Sequence, residues 1–366
     1  MSAKVHIENQ RFRNMAVACA FLVVTIHVGK TDAVWTSAWW CYKLFGEGIA
    51  SCAVPFFFLA SGYFAAKHFG EDGYWGDALK KRIGSLLIPF VAWSATFFVE
   101  IFLLRGVQNL MHGGAFFNNG LLSHHSFLQV VGLDPYAMPA LFPLWFVRSL
   151  LVIFVALPLF KFFSRSGILC AVGVGVLFAT VLVTRRMEGD WNGFFRLTVS
   201  LEGAMYFLLG AFLRRRNLTH TLPRYVAWVC GAVAVTGVLG FAWAKGDGCN
   251  VPMWLALLLT PVEMLWLWSI VPDKAWPSLL TGNAFSLFLL HVPMLAALNV
   301  LVVWIGRYVG RDISGSAMTS VCEWVVACGL SLAVAEGLCR LCPMVAKVLF
   351  GGRVRGEIKK QCTIIL

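Results

Sequence analysis

The chain has 366 residues, of which 59% are hydrophobic and only 13% are charged. Because a soluble globular chain carries roughly a quarter charged residues, this composition excludes the soluble, disordered and disulfide-rich classes and indicates a membrane protein. The formal net charge of +12 does not indicate a nucleic-acid partner, because the basic residues stand in short segments between apolar runs.

Apolar runs follow one another along the chain, each close to the length of about 20 residues that a membrane-spanning helix needs. They cover residues 14–30, 44–66, 84–104, 142–163, 167–184, 197–213, 223–243, 251–271, 281–305 and 317–338. The sequence therefore predicts an all-α integral membrane protein, a bundle of about ten transmembrane helices surrounded by membrane lipids. We assign residues 1–345 to this polytopic transmembrane domain and residues 346–366 to a basic cytoplasmic tail.

The distribution of lysine and arginine predicts the orientation, since these residues are enriched on the cytoplasmic side of membrane proteins. With the N-terminus inside, about 20 basic residues fall on the inner side and about nine on the outer side. This bias predicts that both termini are cytoplasmic, although Arg185 and Arg186 fall outside against it. Residues 105–141, the longest segment between spans, then lie outside, and loops of such length are often functional.

His27 is the first ionisable residue deep in an apolar run, toward the outer end of the first span. Arg13 lies 14 residues earlier, which is almost four helical turns, so the two share one helix face about 21 Å apart. A neutral imidazole can take a proton from a hydroxyl near neutral pH, so His27 is a candidate general base. A histidine that is merely hydrogen-bonded to a neighbouring helix is the competing interpretation.

Arg148, Glu202, Glu263 and His291 also fall inside apolar runs, where charged or polar groups usually face a bundle interior or a wet cavity. Arg148 stands three residues after Trp145, so both point the same way on a helix. Its partner is predicted to be a carboxylate, a carbonyl or an anionic ligand, with Glu202 and Glu263 as candidates. Glu263 is equally compatible with a proton site in a transporter.

A basic cluster precedes the third span, where Lys80, Lys81 and Arg82 are consecutive. Together with Arg13 it could clamp phosphate groups at the inner face, or it could serve only to determine topology. Pro55 invites a kink in the second span, and Ser61 with the following glycine permits close helix approach or ligand contact. No Cys and His spacing indicates zinc, so no metal is expected.

Five segments, in this order, resemble motifs of one family, the membrane-bound acyltransferase 3 proteins, many of which O-acylate bacterial surface glycans. The segments are Val23–His27, Val54–Phe58 with Ser61-Gly62-Tyr63, Lys80–Ile83 with Leu86–Phe90, Phe142–Phe146, and Ser286–Pro293. Two positions depart from the family pattern. The family often places an arginine eleven residues before the histidine, where this chain has Ala16, and its paired-arginine RxxR pattern fails at Ser85.

The resemblance implies a multi-pass protein of the bacterial inner membrane that moves an acyl group, typically acetyl, from acetyl-CoA or another acyl-CoA. The implied acceptor is a hydroxyl of an extracytoplasmic glycan or lipid-linked molecule, and the 105–141 loop is its predicted contact. His27 would be the general base or carry the acyl group itself. Arg148 or His291 would stabilise the developing oxyanion or orient His27. The predicted donor-binding residues are Arg13, Lys80, Lys81, Arg82, Ser61 and Trp145.

The main alternative is a proton-coupled secondary transporter, since Glu202, Glu263 and His27 are compatible with proton coupling. Many transporters are built from paired halves with broken helices in matching positions. The sequence has no such internal symmetry, which favours the acyltransferase interpretation.

Overall fold

A computed structural model of the chain describes residues 3–29, 34–117, 127–139, 141–218, 223–249, 251–310 and 316–352. Over these residues the chain is helical and has no strand, so the predicted all-α class is confirmed. The α-helices are α1 Ala3–Ile26, α2 Ser37–Cys41, α3 Ala53–Ala65, α4 Tyr74–Arg82, α5 Ile88–Met111, α6 Phe127–Val130, α7 Leu144–Val155, α8 Leu157–Phe163, α9 Gly167–Thr184, α10 Asp190–Gly193, α11 Leu201–Arg216, α12 Arg224–Gly246, α13 Met253–Ile270, α14 Ser278–Thr281, α15 Ala284–Val309, α16 Ala317–Leu341 and α17 Pro343–Phe350.

Within the described ranges, 8 helical segments are long and apolar enough to cross a membrane, or up to 9 if the bent pair α7 and α8 is one span. A polytopic membrane protein is therefore confirmed, whereas the predicted count of ten is not. The segment predicted as the first span falls on α1, which is outside these eight. The N-terminal half of α1 carries Arg11, Arg13 and Asn14, which lower its apolar character.

Helix α1 nevertheless packs deep in the bundle, against α3 and α15. Met15, Cys19 and Val24 on α1 are fully buried. Near its polar end, the Asn14 side chain donates to the backbone carbonyls of Pro272 and Lys274 at 2.7 and 2.8 Å. These contacts fix the position of α1, and thereby of the histidine that follows it.

The predicted span 142–163 is not one straight helix. Helices α7 and α8 meet at Ala156 with a bend of 69°. Pro158 is the second residue of α8, and because proline has no backbone N–H, the carbonyl of Phe154 loses its helical donor there. The bend is the expected local response to this proline.

Helices α3 and α11 cross at a distance that only glycine permits. A β-carbon at Gly62 on α3 would overlap the carbonyl of Phe207, and one at Gly210 on α11 would overlap the carbonyl of Leu59. A third glycine, Gly203, leaves room for the ring of Phe58. Small residues that let two backbones approach are a main source of helix association in membranes.

The segment that enters α11 is irregular. The predicted span 197–213 is preceded by a π-helical stretch, Phe194–Thr198, and Ser200 then adopts a left-handed conformation at φ 42°. The Ser200 side chain accepts a hydrogen bond from the Gly203 amide at 3.1 Å and so caps the new helix. Helix α11 therefore starts within the bundle.

Helix α17 lies across the boundary that the sequence analysis placed at residue 345. It packs on α5, where the Trp93 indole donates to the carbonyl of Leu349 at 2.9 Å and Phe350 is fully buried. Residues 353–366 of the predicted basic tail lie outside the described residues.

Replacing Gly62 or Gly210 with alanine is expected to lower the free energy of unfolding by about 1–3 kcal/mol, the usual cost of overpacking. The added methyl group would overlap a carbonyl of the partner helix. Thermal unfolding in detergent, followed by size-exclusion chromatography, measures the loss. Gly175→Ala is the matched control, because nothing lies within 4 Å of a β-carbon there. Equal losses in all three variants would contradict this account of the crossing.

Candidate active site

Two predicted site histidines, His27 and His291, face each other in the bundle. His27 follows the last residue of α1, and its ring centroid lies 5.1 Å from that of His291 on α15, with 41° between the ring planes. Phe142 presents its ring edge-on to His27 at 5.5 Å. The structure thus brings together residues from three distant parts of the sequence around the imidazole of His27.

His291 is completely buried, and neither of its ring nitrogens has a hydrogen-bond partner within the described part of the chain. The ring of Phe288, one turn earlier on α15, packs near that of His291, with 6.1 Å between the ring centroids. Buried polar groups are nearly always hydrogen-bonded. The backbone carbonyls of Leu287 and Phe288, one turn earlier in α15, are the polar groups that act on the ring.

A cavity of about 230 Å³ lies on the other side of Phe142. Phe142 forms part of its wall, so one aromatic ring contacts both the cavity and His27. Trp145 also lines it, as does Met138 from the 105–141 segment. A mixed wall of aromatic and polar side chains is the usual character of a small-molecule site.

Charged side chains are concentrated on one side of this cavity. Arg185 donates to Glu202 at 2.9 Å, and both residues line the wall together with Arg196. Ser51 also lines the cavity, and its hydroxyl donates to the buried Glu263 at 2.6 Å. The two intramembrane carboxylates are therefore engaged with Arg185 and Ser51, not with Arg148.

Arg148 is buried and directed at the 105–141 segment. Its guanidinium donates to the backbone carbonyls of Gly132, Asp134 and Ala137 at 3.1, 2.5 and 2.9 Å. Of the partner types predicted from the sequence, carbonyls are the ones observed. These contacts fix a loop, and a catalytic role of Arg148 stays a prediction.

The predicted donor-binding residues do not lie at one place. Trp145 lines the cavity near His27, whereas the Arg82 guanidinium covers the ring of Phe154 at 4.3 Å, nine residues and about 13.5 Å further along the same helical region. Lys80 and Lys81 are exposed on α4. These three basic residues form a group separate from Trp145.

Arg13 and Ser61 differ in how free they are to contact a ligand. Arg13 is half-buried on α1. The hydroxyl of Ser61 is fully buried and donates to the carbonyl of Phe57 in its own helix at 2.8 Å, so Ser61 supports α3 from within.

Within the described ranges, eight or nine apolar helices surround two histidines in ring contact and a cavity with aromatic and polar walls, and they define a polytopic helical membrane protein. Residues 16–338 match the family described as an acyltransferase domain, Acyl_transf_3. The chain belongs to this family and is a membrane acyltransferase. No curated protein and no solved structure matches it.

Several site residues were not predicted as such from the sequence. Arg185 was noted only because its predicted outer position opposes the enrichment of lysine and arginine on the cytoplasmic side. Arg196 lies one residue before a predicted span. Away from the cavity, at the other end of α11, Arg214 donates to the Tyr63 hydroxyl at 3.0 Å. The outer position predicted for Arg185, against the charge bias, was the one sequence signal that pointed to an ion-pair partner, which the structure identifies as Glu202.

Arg148→Ala is expected to loosen the 127–139 segment, because three carbonyls lose a charged donor and each such bond contributes about 1.5–3 kcal/mol. Hydrogen–deuterium exchange should be faster over the peptide covering residues 128–138 than in the wild-type protein. Arg105→Ala, an exposed position on α5, is the control. Unchanged exchange in Arg148→Ala would show that these carbonyl contacts do not hold the loop.

Proposed function

We propose that this membrane acyltransferase transfers an acyl group, acetyl in the simplest case, from acyl-CoA to a hydroxyl of a cell-surface carbohydrate or related acceptor. His27 is the general base. The observation that carries the proposal is the position of His27, at the end of a buried helix, against His291 and next to a polar cavity. Membership of the acyltransferase family supplies the reaction class.

In the transfer, the acceptor oxygen forms a bond to the thioester carbonyl carbon, and the carbon–sulfur bond breaks. A hydroxyl is a poor nucleophile at its ordinary pKa and needs a base. His27 takes the hydroxyl proton and returns it to the departing sulfur, so that CoA leaves as the free thiol. A neutral imidazole is suited to both steps near neutral pH.

His291 is the candidate for orienting His27. The contact of the two rings at 5.1 Å and the complete burial of His291 support this role. Arg148 acts indirectly, because its three carbonyl contacts hold the segment that supplies Met138 to the cavity. In this scheme Arg148 is a positioning residue for the acceptor side.

The donor is proposed to enter from the end of the bundle that carries Arg13 and the α4 basic cluster, Lys80, Lys81 and Arg82. The exposed amino groups of Lys80 and Lys81 are free to contact the phosphates of CoA. We place this end at the cytoplasmic face, as the charge bias predicts. Acceptor and donor thus approach His27 from opposite sides of a multi-pass cell-membrane protein.

The transporter alternative receives less support. The family assignment is to acyltransferases, and Glu202 and Glu263 each have a polar partner in the cavity region. A proton-coupled transporter would require these carboxylates to move protons across the bundle, whereas the proposed reaction assigns them no such step.

His27→Ala is expected to reduce acyl transfer by about 10²–10⁴-fold, the usual contribution of a general base. Mass spectrometry of surface glycans from cells expressing each variant measures O-acylation directly. His68→Ala is the control, because His68 is exposed and pairs with Glu71 on the protein surface. Full O-acylation by correctly inserted His27→Ala protein would refute the mechanism.

A second experiment distinguishes whether His27 acts as a general base or carries the acyl group itself. Purified wild-type protein is incubated with labelled acetyl-CoA without acceptor, and its peptides are analysed. A base leaves the peptide containing His27 unlabelled, whereas a covalent intermediate adds one acetyl group to it.

Removing charge from the α4 cluster tests the donor side. Lys80→Gln combined with Lys81→Gln is expected to raise the KM for acetyl-CoA severalfold, because charge-assisted contacts to phosphate are lost. The fold should be retained, since both side chains are exposed. Arg340→Gln, which only breaks a pair with Glu336 on its own helix, is the control. An unchanged KM would remove the cluster from the donor site.

A further inference from the structure

The cavity beside His27 carries an unbalanced charge. Its lining includes two basic side chains, Arg185 and Arg196, and one acidic side chain, Glu202. Arg185 is neutralised by Glu202 at 2.9 Å. Glu263 lies behind Ser51 and is not part of the wall. The lining therefore carries one more positive charge than negative charges.

That charge belongs to Arg196. Its side chain is exposed, and within the described part of the chain it makes no direct ion pair, because the direct partner of Glu202 is Arg185; Glu202 acts on Arg196 only from a distance. The π-helical stretch that carries it is held firmly, since Ser149 is fully buried and donates to the carbonyl of Leu197 at 2.6 Å. Arg196 is thus a guanidinium without a direct ion-pair partner among the described residues, carried on a fixed backbone.

The remaining wall suits a sugar ring. Trp145 and Phe142 offer apolar faces, while Asn192 and Ser51 offer hydrogen-bonding groups. The volume of about 230 Å³ is below the roughly 300–1,000 Å³ of drug-sized sites. It therefore accepts a single ring-sized group and not a whole oligosaccharide.

We propose that this cavity binds the sugar unit that receives the acyl group, and that this unit carries one negative charge, which Arg196 binds. The inference rests on the proposed function and adds the substrate class, a uronic acid or a sugar phosphodiester. A guanidinium binds carboxylate and phosphate oxygens with two parallel hydrogen bonds. Phe142 lines the cavity and also contacts His27, so the bound unit lies next to the residue that packs on the base.

The test compares acceptors that differ only in charge. Purified protein with acetyl-CoA is given 4-nitrophenyl β-D-glucuronide, the matching glucoside, or the glucoside carrying a methyl phosphodiester at its sixth carbon. The wild-type KM is expected to be at least about tenfold lower for a charged acceptor than for the glucoside, the effect of one charge-assisted hydrogen bond. The two charged probes show which anion is preferred.

Variants assign the preference to one side chain. Arg196→Gln is expected to reduce the KM ratio between glucoside and charged acceptor to about one, and Arg196→Lys to retain part of it because the charge is kept. Arg186→Gln is the matched control, since Arg186 is exposed, close in sequence to the cavity and absent from its wall. This control should keep the wild-type ratio.

Saturation-transfer NMR with the glucuronide and the glucoside gives a second readout that needs no turnover. Equal KM values and equal binding of charged and neutral probes by the wild-type protein would overturn the inference. A preference that survives in Arg196→Gln would also overturn it, and would fit an arginine that contacts lipid headgroups. Transfer that occurs without charge preference leaves the proposed function intact, whereas absence of transfer to every probe counts against that function itself.

Discussion

Helices α3 and α11 approach each other so closely at Gly62 and Gly210 that neither position has room for a side chain. Lipid tails are as apolar as the helices, so this association depends on close packing and not on removal of apolar surface from water. The crossing fixes both ends of the two helices. At one end lie Glu202 in the first turn of α11 and Ser51 two residues before α3, both at the cavity, and at the other end Tyr63 lies beside Arg214.

The same bundle contains irregular backbone that needs polar partners. In a bilayer, each unsatisfied backbone group costs several kcal/mol. Two consecutive residues of α7 meet this need: Arg148 donates to carbonyls of the 132–137 segment, and Ser149 donates to the carbonyl of Leu197. One turn of α7 thereby holds both the loop and the π-helical stretch that border the cavity, which explains how a polar site is stable within an apolar bundle.

Hydropathy and a few motifs were sufficient to predict the class of fold and the family. They could not predict the count of spans, because α1 mixes charged residues such as Arg11 with a buried apolar half. They predicted His27 and His291 separately, and only the folded chain places their rings 5.1 Å apart. The partner of Arg148 was predicted by chemical type, whereas its choice among carboxylates and carbonyls depends on a loop whose path no periodicity encodes.

Arg196 is a cavity residue that the sequence did not predict. It stands outside the predicted 197–213 span, where an arginine attracts no notice. Its placement in the cavity wall depends on the backbone irregularity around it, which has no hydrophobic pattern of its own. Residues of this kind are identified by which side chains remain without partners after folding, and that information exists only in three dimensions.

The π-helical stretch Phe194–Thr198 also determines the direction of the side chains that it carries. A π turn contains one residue more than an α turn, so it is equivalent to a single-residue insertion in an ordinary membrane helix. Each residue of an α-helix turns the chain by about 100°. Without the additional residue, the side chain at the position of Arg196 would be directed to a different face of the bundle. The wider turn is therefore what places this cationic group in the wall of the cavity.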